Sequence, residues 1–415
     1  MIDKYDGLLA GLDEVDWANL EAGAEVPDRL RALCGEDDKV RQKALGGLFN
    51  GIFHQGSRYQ ASPFVVPFLA RLAVAGPRPL REELMWMLTR LAVDWHDEYD
   101  VATGINIVAW RAVAAQFTPD AILPWYDEQL AVEKDEQRRE QLLQARAAVA
   151  AGMPVDARDA ALRSYDAVLA ELPLLLALLD DDEPRIRIRT AYLLAWFPEA
   201  SAGTLPRLFD LAERDHDSVV TATALVAAGL VGTLPRAGDL APYLEDGDGL
   251  VRWAAATALI RIASSCDGTL DAGLLDRATA ELAVAAVNPA PTPATDYNEG
   301  DFHGHIETTL RTLATGVPQA ALAACLPRIE RDRNGRRTRA ALDRLFPAPL
   351  QSPLPCYADL PAAQAQLVHA LANLEHPWVG RAVAGQLHDR GLPDSQNALR
   401  AYAGLPPVTE GWQRT

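Results

Sequence analysis

Apolar residues recur along most of the chain at spacings of three, four and seven, which places them on one face of an α-helix. Between residues 160 and 265 this pattern is itself repeated. An acidic residue, a turn and an apolar-Arg pair follow one another in LLDDDEPRIRIRTAYLLAWF and again in LEDGDGLVRWAAATALIRI. Weaker copies are RDHDSVVTATALVAAGL, between these two, and GEDDKVRQKALGGLF, near the N-terminus. Ile186, Val219 and Val251 hold equivalent positions, so the period is about 32 residues.

Each copy predicts two antiparallel helices joined by a turn rich in Asp, Gly and Pro. Apolar stretches such as residues 172–179 and 205–212 form the first helix, and the second begins after the turn. We expect the Asp of the turn to cap the second helix. We also expect the Arg of the apolar-Arg pair, Arg187 or Arg252, to bind an acid in the neighbouring unit. Such pairs predict an all-α fold, an α-solenoid in which each pair packs on the next.

The period and the Asp, apolar-Arg, Ala, Leu order resemble the short bacterial variety of HEAT repeats, also seen in phycobilin-lyase-like repeats. The resemblance is good over residues 160–265. The segments LFNGIFHQGSRYQASPFVVPFL and AYLLAWFPEA are similar to a family of bacterial HEAT-repeat proteins of unassigned function. The resemblance implies a superhelix of HEAT-like helix pairs and transfers no activity.

Three regions are predicted along the chain. Residues 1–156 form an irregular, aromatic-rich helical part of the solenoid, in which Trp95, Trp110 and Trp125 are interpreted as core residues. Residues 157–347 form the repeat array, interrupted near 287–301 by a Pro-rich insertion. Residues 348–415 form a Pro-rich linker and capping helices. Helices of the first region are predicted near residues 27–34, 39–54, 62–75, 79–93, 105–116, 119–132 and 135–151.

The charge of the chain narrows the choice of partner. The 415 residues include 57 acids against 39 Lys and Arg, a net charge of −18. Nucleic-acid binding is therefore disfavoured, and a basic protein or peptide partner is favoured. The apolar stretch at residues 219–234 is shorter than the roughly 20 residues that cross a bilayer, and no secretory signal is visible. We therefore expect a cytoplasmic protein without a membrane partner.

Two segments carry candidate binding residues. In NGIFHQGSRYQ, polar and aromatic groups at a helix end could converge on a small polar or anionic ligand, or could cap the helix and brace the next one. In RIERDRNGRRTRAALDR, residues 328–344, arginines could bind an anion or a partner, or could neutralise acids of a neighbouring repeat. The candidates are Asn50, His54, Gln55, Arg58 and Tyr59 in the first segment and Arg333, Arg336, Arg337 and Arg339 in the second.

Two histidine-rich segments are interpreted as structural. His96 lies in the acidic run VDWHDEYD, which predicts a solvated turn. His303 and His305 are one residue apart in DFHGHIE, and both could reach a metal only from extended backbone. We expect a helix there instead, with Asp301 as its cap. The sequence predicts neither a metal site nor a cofactor.

The absence of GxSxG, GxxxxGK[ST], HExxH and GxGxxG signatures disfavours an enzyme. We interpret the chain as a non-enzymatic scaffold that holds a protein or peptide on the concave surface of the solenoid. Residues near Arg187 and Arg252 would frame this surface, and the insertion would form a side wall. Two alternatives stay open: a small-molecule or anion site, with or without catalysis, in the N-terminal third, and nucleic-acid recognition like that of HEAT-like base-repair glycosylases. The oligomeric state and the biological process are not indicated.

Overall fold

The fold is all-α, as predicted. A computed structural model describes residues 6–54, 56–93, 103–115, 118–151, 157–266, 268–312, 342, 345–346, 349–350, 354–374 and 381–408. Within these ranges the only strands form a two-stranded hairpin, β1 Phe53–His54 and β2 Ser57–Arg58. The α-helices are α1 Val26–Leu33, α2 Asp38–Ile52, α3 Ser62–Ala75, α4 Arg81–Val93, α5 Ile107–Ala114, α6 Pro119–Val132, α7 Glu136–Ala150, α8 Ala157–Leu175, α9 Pro184–Leu194, α10 Ser201–Arg214, α11 Ser218–Val231, α12 Gly249–Ser265, α13 Ala272–Val287, α14 Phe302–Arg311, α15 Ala362–Ala372, α16 Arg381–His388 and α17 Gln396–Tyr402.

Helix pairs stack into a solenoid. Units 1, 2 and 4 are α1/α2, α3/α4 and α10/α11, and unit 6 is α13/α14. In unit 3, α8 continues into a 3₁₀ segment, Leu176–Asp180, which packs against α9. In unit 5 a 3₁₀ segment, Leu234–Glu245, takes the place of the first helix and packs against α12. One hydrophobic core runs through all six units, and a second core lies among the described residues after 341. The predicted boundary at residue 348 stays a prediction.

The aromatic N-terminal part contains two regular units and a segment that leaves the stack after α4. We call the described residues from 103 to 151, which include α5, α6 and α7, the excursion. Helix α3 packs along α8, and α4 packs against α8 and α9, so unit 2 stacks directly on unit 3. Helices α6 and α7 pack on each other outside this stack. Trp125 of α6 is consequently 46% exposed, so its interpretation as a core residue is wrong. Trp110 is partly buried against Tyr165, and Trp95 lies outside the described residues.

An Asp of the turn caps the second helix in units 1, 4 and 5, as predicted, but the recurring acids Asp181 and Asp246 are not the capping residues. Asp37, Asp217 and Asp248 accept hydrogen bonds from backbone N–H groups in the first turn of α2, α11 and α12. In units 3 to 5 another Asp lies two residues before the capping position. Its carboxylate accepts a hydrogen bond from the backbone N–H of the residue at the capping position, and this bond fixes the turn. These bonds join Asp181 to Glu183 at 3.0 Å, Asp215 to Asp217 at 3.0 Å and Asp246 to Asp248 at 2.7 Å.

The predicted pairing of arginines between units is confirmed. The Arg187 guanidinium donates to both carboxylate oxygens of Asp215 in unit 4, at 2.6 and 3.1 Å, and to the carbonyl oxygen of Asp181 at 2.8 Å. Arg252 repeats this arrangement, with Glu281 of unit 6 at 3.0 Å and the carbonyl of Asp246 at 2.8 Å. Each arginine therefore ties its own turn to the next unit.

Helices α11 and α12 are buried almost all round. Every residue from Val219 to Val231 is buried, as is every residue from Leu250 to Ile260 except Arg252. At Gly229 an added Cβ would lie 2.4 Å from the backbone of Ala258, so only glycine permits this helix approach. A helix that is apolar on all sides needs neighbours on all sides. Stacking on two adjacent units covers only part of this surface.

We predict that Arg187→Met lowers the free energy of unfolding by about 3 kcal/mol, because it leaves the Asp215 carboxylate, 4% exposed, without its counter-ion. The measurement is urea unfolding at pH 7. Arg207→Met is the matched control. Arg207 pairs with Asp180 in solvent, with side chains 37% and 56% exposed, so its loss costs less than about 1 kcal/mol. Equal losses in the two variants would contradict the role given to Arg187.

The Arg187 effect depends on pH. Burial raises the pKa of the Asp215 carboxyl, but Arg187 and the backbone N–H of Asp217 outweigh it and hold the pKa below its ordinary value. Because the native pKa lies below the unfolded one of about 3.9, this group stabilises folding above that pH, and its contribution fades as the pH falls below it. The stability difference between wild type and Arg187→Met is therefore expected to shrink below about pH 4.

Candidate functional site

The predicted ligand segment contains the β1–β2 hairpin. Because β1 begins at Phe53, α2 ends at Ile52, two residues before the predicted end at residue 54. Phe53 lies opposite Arg58, and His54 lies opposite Ser57. Gly56 supplies the left-handed turn, with φ 87°. Ser62 fastens the hairpin to α3, since its Oγ accepts the N–H of Tyr59 at 2.7 Å and donates to the carbonyl of Ile52 at 2.6 Å.

The candidate side chains of this segment do not converge. Residues opposite each other in an antiparallel pair share a face, so Arg58 lies on the face of Phe53 and His54 lies on the other. Arg58 is 3% exposed, donates to the carbonyl of Gly56 at 3.0 Å and belongs to the strand that packs against α8. His54 and Asn50 are exposed, and Tyr59 is partly buried. This geometry fits the brace better than a shared ligand pocket.

The remaining candidates of the sequence lie outside the described residues. These are Gln55 of the first candidate segment and Arg333, Arg336, Arg337 and Arg339 of the arginine-rich segment. Their proposed roles stay predictions.

The Pro-rich insertion, residues 288–301, folds back over the second helices of the array. Tyr297 is 1% exposed, and its ring centroid lies 4.9 Å from that of Tyr192 in the last turn of α9 and 6.3 Å from that of Trp196, just after α9. The Tyr297 hydroxyl donates to the carbonyl of Thr223 in α11 at 3.3 Å. The insertion of unit 6 thus reaches units 3 and 4.

A charged cluster anchors the insertion beside Tyr297. Asp296 pairs with Arg185 at 3.0 Å and with Arg189 at 3.1 Å, and both arginines also pair with Glu82 of α4. Burial raises the pKa of the Glu82 carboxyl, but Arg185 and Arg189 outweigh it, so the pKa lies below its ordinary value. Units 2, 3 and 6 therefore meet in one ion-pair network.

The predicted helix after the insertion is present, with Asp301 as its cap. The Asp301 carboxylate accepts the N–H of Gly304 at 3.2 Å. His303 and His305 are both buried. The His303 ring bonds the carbonyl oxygen of Asn288 at 2.9 Å, whereas the His305 ring packs edge-on against Trp253 at 5.2 Å. Among the residues with described positions, no three His, Cys, Asp or Glu side chains are grouped as metal ligands would be.

The insertion covers the second-helix face where a partner was expected. Tyr297 of the insertion contacts Thr223 of α11. Phe302 and His305 of α14, which follows the insertion, pack against Trp253 of α12. Arg187 and Arg252, expected to frame a binding surface, are engaged inside the array. The sequence holds a signal for this arrangement, because VVTATALVAAGLV has no polar face to present to an open groove.

A groove of about 880 Å³ lies at the N-terminal ends of the second helices, between α10 and the 3₁₀ segment of unit 5. Pro235, Gly238 and Pro242 interrupt that segment, and a proline lacks the N–H that an α-helix would use. The turns of units 3, 4 and 5 follow one another beside the groove. We call residues 180–183, 213–217 and 245–248 the acidic edge. The groove is lined by Phe209, Glu213, Asp215, His216, Arg236, Asp239, Pro242, Tyr243, Asp246 and Asp248, among others.

The groove combines aromatic surface with negative charge. Glu213 is exposed and, like Asp246, pairs with no cation among the described residues. Burial raises the pKa of the Tyr243 hydroxyl, and the charges of Glu213 and Asp246 raise it further. Among the described residues that line the groove, the one arginine is Arg236, which pairs with Asp239 at 2.6 Å and stacks 5.2 Å from the ring centroid of Phe209. Arg236 thus shows the chemistry that this groove accepts: a guanidinium between a carboxylate and an aromatic face.

Comparisons with known proteins identify the repeat. Residues 172–260 match the family model described as HEAT repeats. The chain also aligns with the crystal structure of an engineered protein from the Northeast Structural Genomics Consortium. That alignment has 18% identity and a TM-score of 0.28 over 96% of this chain and 89% of the other, so the fold assignment stands on the helices themselves and on the family match. No curated protein is significantly similar in sequence. None of the described helices has the length and hydropathy that a bilayer crossing requires.

The hairpin geometry predicts unequal effects of its two basic side chains. Arg58→Ala removes a side chain that is 3% exposed and is expected to cost about 2 kcal/mol of unfolding free energy. His54→Ala changes an exposed residue, and the expected change is within about 0.5 kcal/mol. Urea unfolding of the two variants measures the difference. An Arg58→Ala variant as stable as wild type would argue against the brace.

The insertion is predicted to be part of the core. Tyr297→Ala empties a fully buried aromatic site and is expected to cost about 3–5 kcal/mol. Tyr297→Phe, the matched control, removes only the hydroxyl that bonds Thr223 and is expected to cost about 1 kcal/mol. Thermal unfolding gives the stabilities, and amide exchange of α11 reports exposure of the second-helix face. Unchanged exchange in Tyr297→Ala would show that the insertion does not cover α11.

Proposed function

We propose that this chain, whose residues 172–260 are HEAT repeats, is a non-enzymatic interaction protein that binds a basic segment of a partner protein along its acidic edge. HEAT repeats support a role in protein interaction at the general level. The site and the charge of the partner rest on the groove between α10 and the 3₁₀ segment.

The observation that carries the proposal is the pairing of uncompensated carboxylates with aromatic surface in this groove. Glu213 and Asp246 flank Tyr243, and their charges act on its hydroxyl. A partner's arginine or lysine could pair with these carboxylates and lie against the Tyr243 ring, as Arg236 does with Asp239 and Phe209. The net charge of −18 favours encounter with a basic partner over long distances.

The acidic edge is favoured over the second-helix face because the insertion already fills part of that face. Tyr297 occupies the space beside Tyr192 and Trp196, and Asp296 neutralises Arg185 and Arg189. A partner on that face would have to displace a buried tyrosine and break several ion pairs. The groove requires no such displacement, since Glu213, Asp239 and Asp246 are exposed.

A peptide-display selection on the full chain tests the charge of the partner. Selected peptides are expected to be enriched in Arg and Lys, and their binding is expected to weaken as the salt concentration rises. Enrichment of neutral or acidic peptides would contradict the proposal.

A pair of charge variants locates the site. Glu213→Lys with Asp239→Lys reverses two exposed carboxylates of the groove, and affinity for a selected peptide is expected to fall at least about tenfold, ~1.4 kcal/mol. Glu136→Lys with Glu140→Lys makes the same change in net charge on the exposed surface of α7 and serves as control. Fluorescence anisotropy measures both affinities. Equal losses would show that binding follows overall charge and not this groove.

A further inference from the structure

A second cavity, of about 780 Å³, lies at the opposite ends of the second helices from the acidic edge. Its floor includes Arg261 and Ser265 in the last turns of α12, and Pro198, which follows α9. The opposite wall is formed by residues 103–110, which include the first turn of α5. The cavity is therefore formed between the repeat array and the excursion that leaves it after unit 2.

The outer wall is firmly held to the array. Gly104, with φ 73°, lies so close to the array that an added Cβ would be 3.2 Å from Arg261 and 3.4 Å from Leu230. At the other end, Arg111 of α5 donates to both carboxylate oxygens of Asp166 in α8, at 3.1 and 2.6 Å. Arg111 also donates to Glu199 at 3.1 Å, between α9 and α10. The cavity thus has fixed walls on both sides.

Among the described residues that line this cavity, Arg261 is the one with a charge, and its bonding differs from that of the arginines that link successive units. Its Nε donates to the carbonyl oxygen of Thr103 at 3.2 Å, and the Cys266 thiol is its other polar neighbour. Within the described part of the chain it pairs with no carboxylate, whereas Arg111, Arg187 and Arg252 each pair with one or more. Burial lowers the pKa of the guanidinium, and Cys266 offsets part of this effect.

A partly buried guanidinium without a carboxylate partner favours binding of an anion, because burial removes hydrating water and no ion pair compensates for that loss. Its terminal nitrogens form a planar fork that matches one carboxylate. The rest of the lining is mainly apolar and aromatic, with Ile105, Ile107, Trp110 and Pro198 around the cation. A phosphate dianion would need more cations or donors than this single arginine supplies, whereas an organic acid with an apolar body matches both parts.

We propose that this cavity binds a small carboxylic acid, with its carboxylate on Arg261 and its aromatic or aliphatic body against Trp110 and Ile105. The site lies at the other ends of the second helices from the acidic-edge groove and uses none of its residues. The two proposals can therefore fail independently.

Isothermal titration calorimetry on the full chain tests the site with phenylacetate and octanoate as probes. Phenylacetamide, which keeps the shape and lacks the charge, is expected to bind at least about tenfold more weakly than phenylacetate, ~1.4 kcal/mol. The Trp110 indole resonance, assigned with Trp110→Phe, is expected to shift when the carboxylate is added. No binding of either carboxylate would overturn the proposal, and binding of inorganic phosphate in their place would overturn the ligand class.

Substitutions at Arg261 test its role. Arg261→Gln is expected to weaken carboxylate binding at least about tenfold, ~1.4 kcal/mol. Arg261→Lys keeps the charge without the fork, and an intermediate loss is expected. Arg146→Gln, which removes an arginine paired with Asp127 on the excursion helices, is the matched control and should bind like wild type. Circular dichroism and thermal unfolding verify that each variant is folded. Wild-type affinity in folded Arg261→Gln and Arg261→Lys would overturn the assignment.

Discussion

Each helix pair of this protein has an apolar surface that it cannot bury alone, and the structure depends on covering that surface with the next pair. Burying a Leu or Ile side chain is worth about 1.5–3 kcal/mol, so continuous stacking supplies most of the stability. The arginines at the start of the second helices contribute in a different way. Arg187 and Arg252 each bind backbone of their own turn and a carboxylate of the next unit, so they set the relative position of successive pairs.

Stacking alone leaves the outer side of α11 and α12 uncovered, and the chain covers it with a segment from unit 6. Tyr297 supplies the aromatic surface, and Asp296 neutralises the arginines at its border. The Pro-rich insertion is therefore part of the core of the array. This explains how second helices without a polar face are compatible with a folded chain, and why the face that many solenoids keep open is partly filled here.

Because the insertion covers part of the second-helix face, the candidate binding surfaces lie at the two ends of the second helices. At their N-terminal ends, capping requires Asp at successive turns, and these turns line up into an acidic edge. The 3₁₀ segment of unit 5 adds a groove to that edge, because its prolines prevent a regular first helix. At their C-terminal ends the excursion after unit 2 returns to the array and encloses Arg261. The two proposed sites would thus bind ligands of opposite charge.

The local pattern of residues was enough to predict the helices, their pairing and the period of the repeat. A capping Asp in the turn and Arg187 as a link between units also followed from the sequence, because caps and neighbouring-unit contacts depend on short-range periodic spacing. The repeat did not show which Asp of each turn is the cap. The excursion was not predictable as such, since nothing in residues 94–156 indicates that unit 2 will stack on unit 3. The hairpin likewise separated His54 and Arg58, which the sequence placed together, onto opposite faces.

The sites depend on contacts between residues far apart in the chain. Tyr297 meets Thr223 and Tyr192, and Thr103 meets Arg261, only because the insertion and the excursion both return to the array. Sequence spacing carries no information about where such returning segments dock, since their positions are set by the packing of several units at once. The sequence by itself therefore determined the repeating architecture and its acidic turns. The tertiary structure decided which surfaces stay open and which charged groups lack a partner.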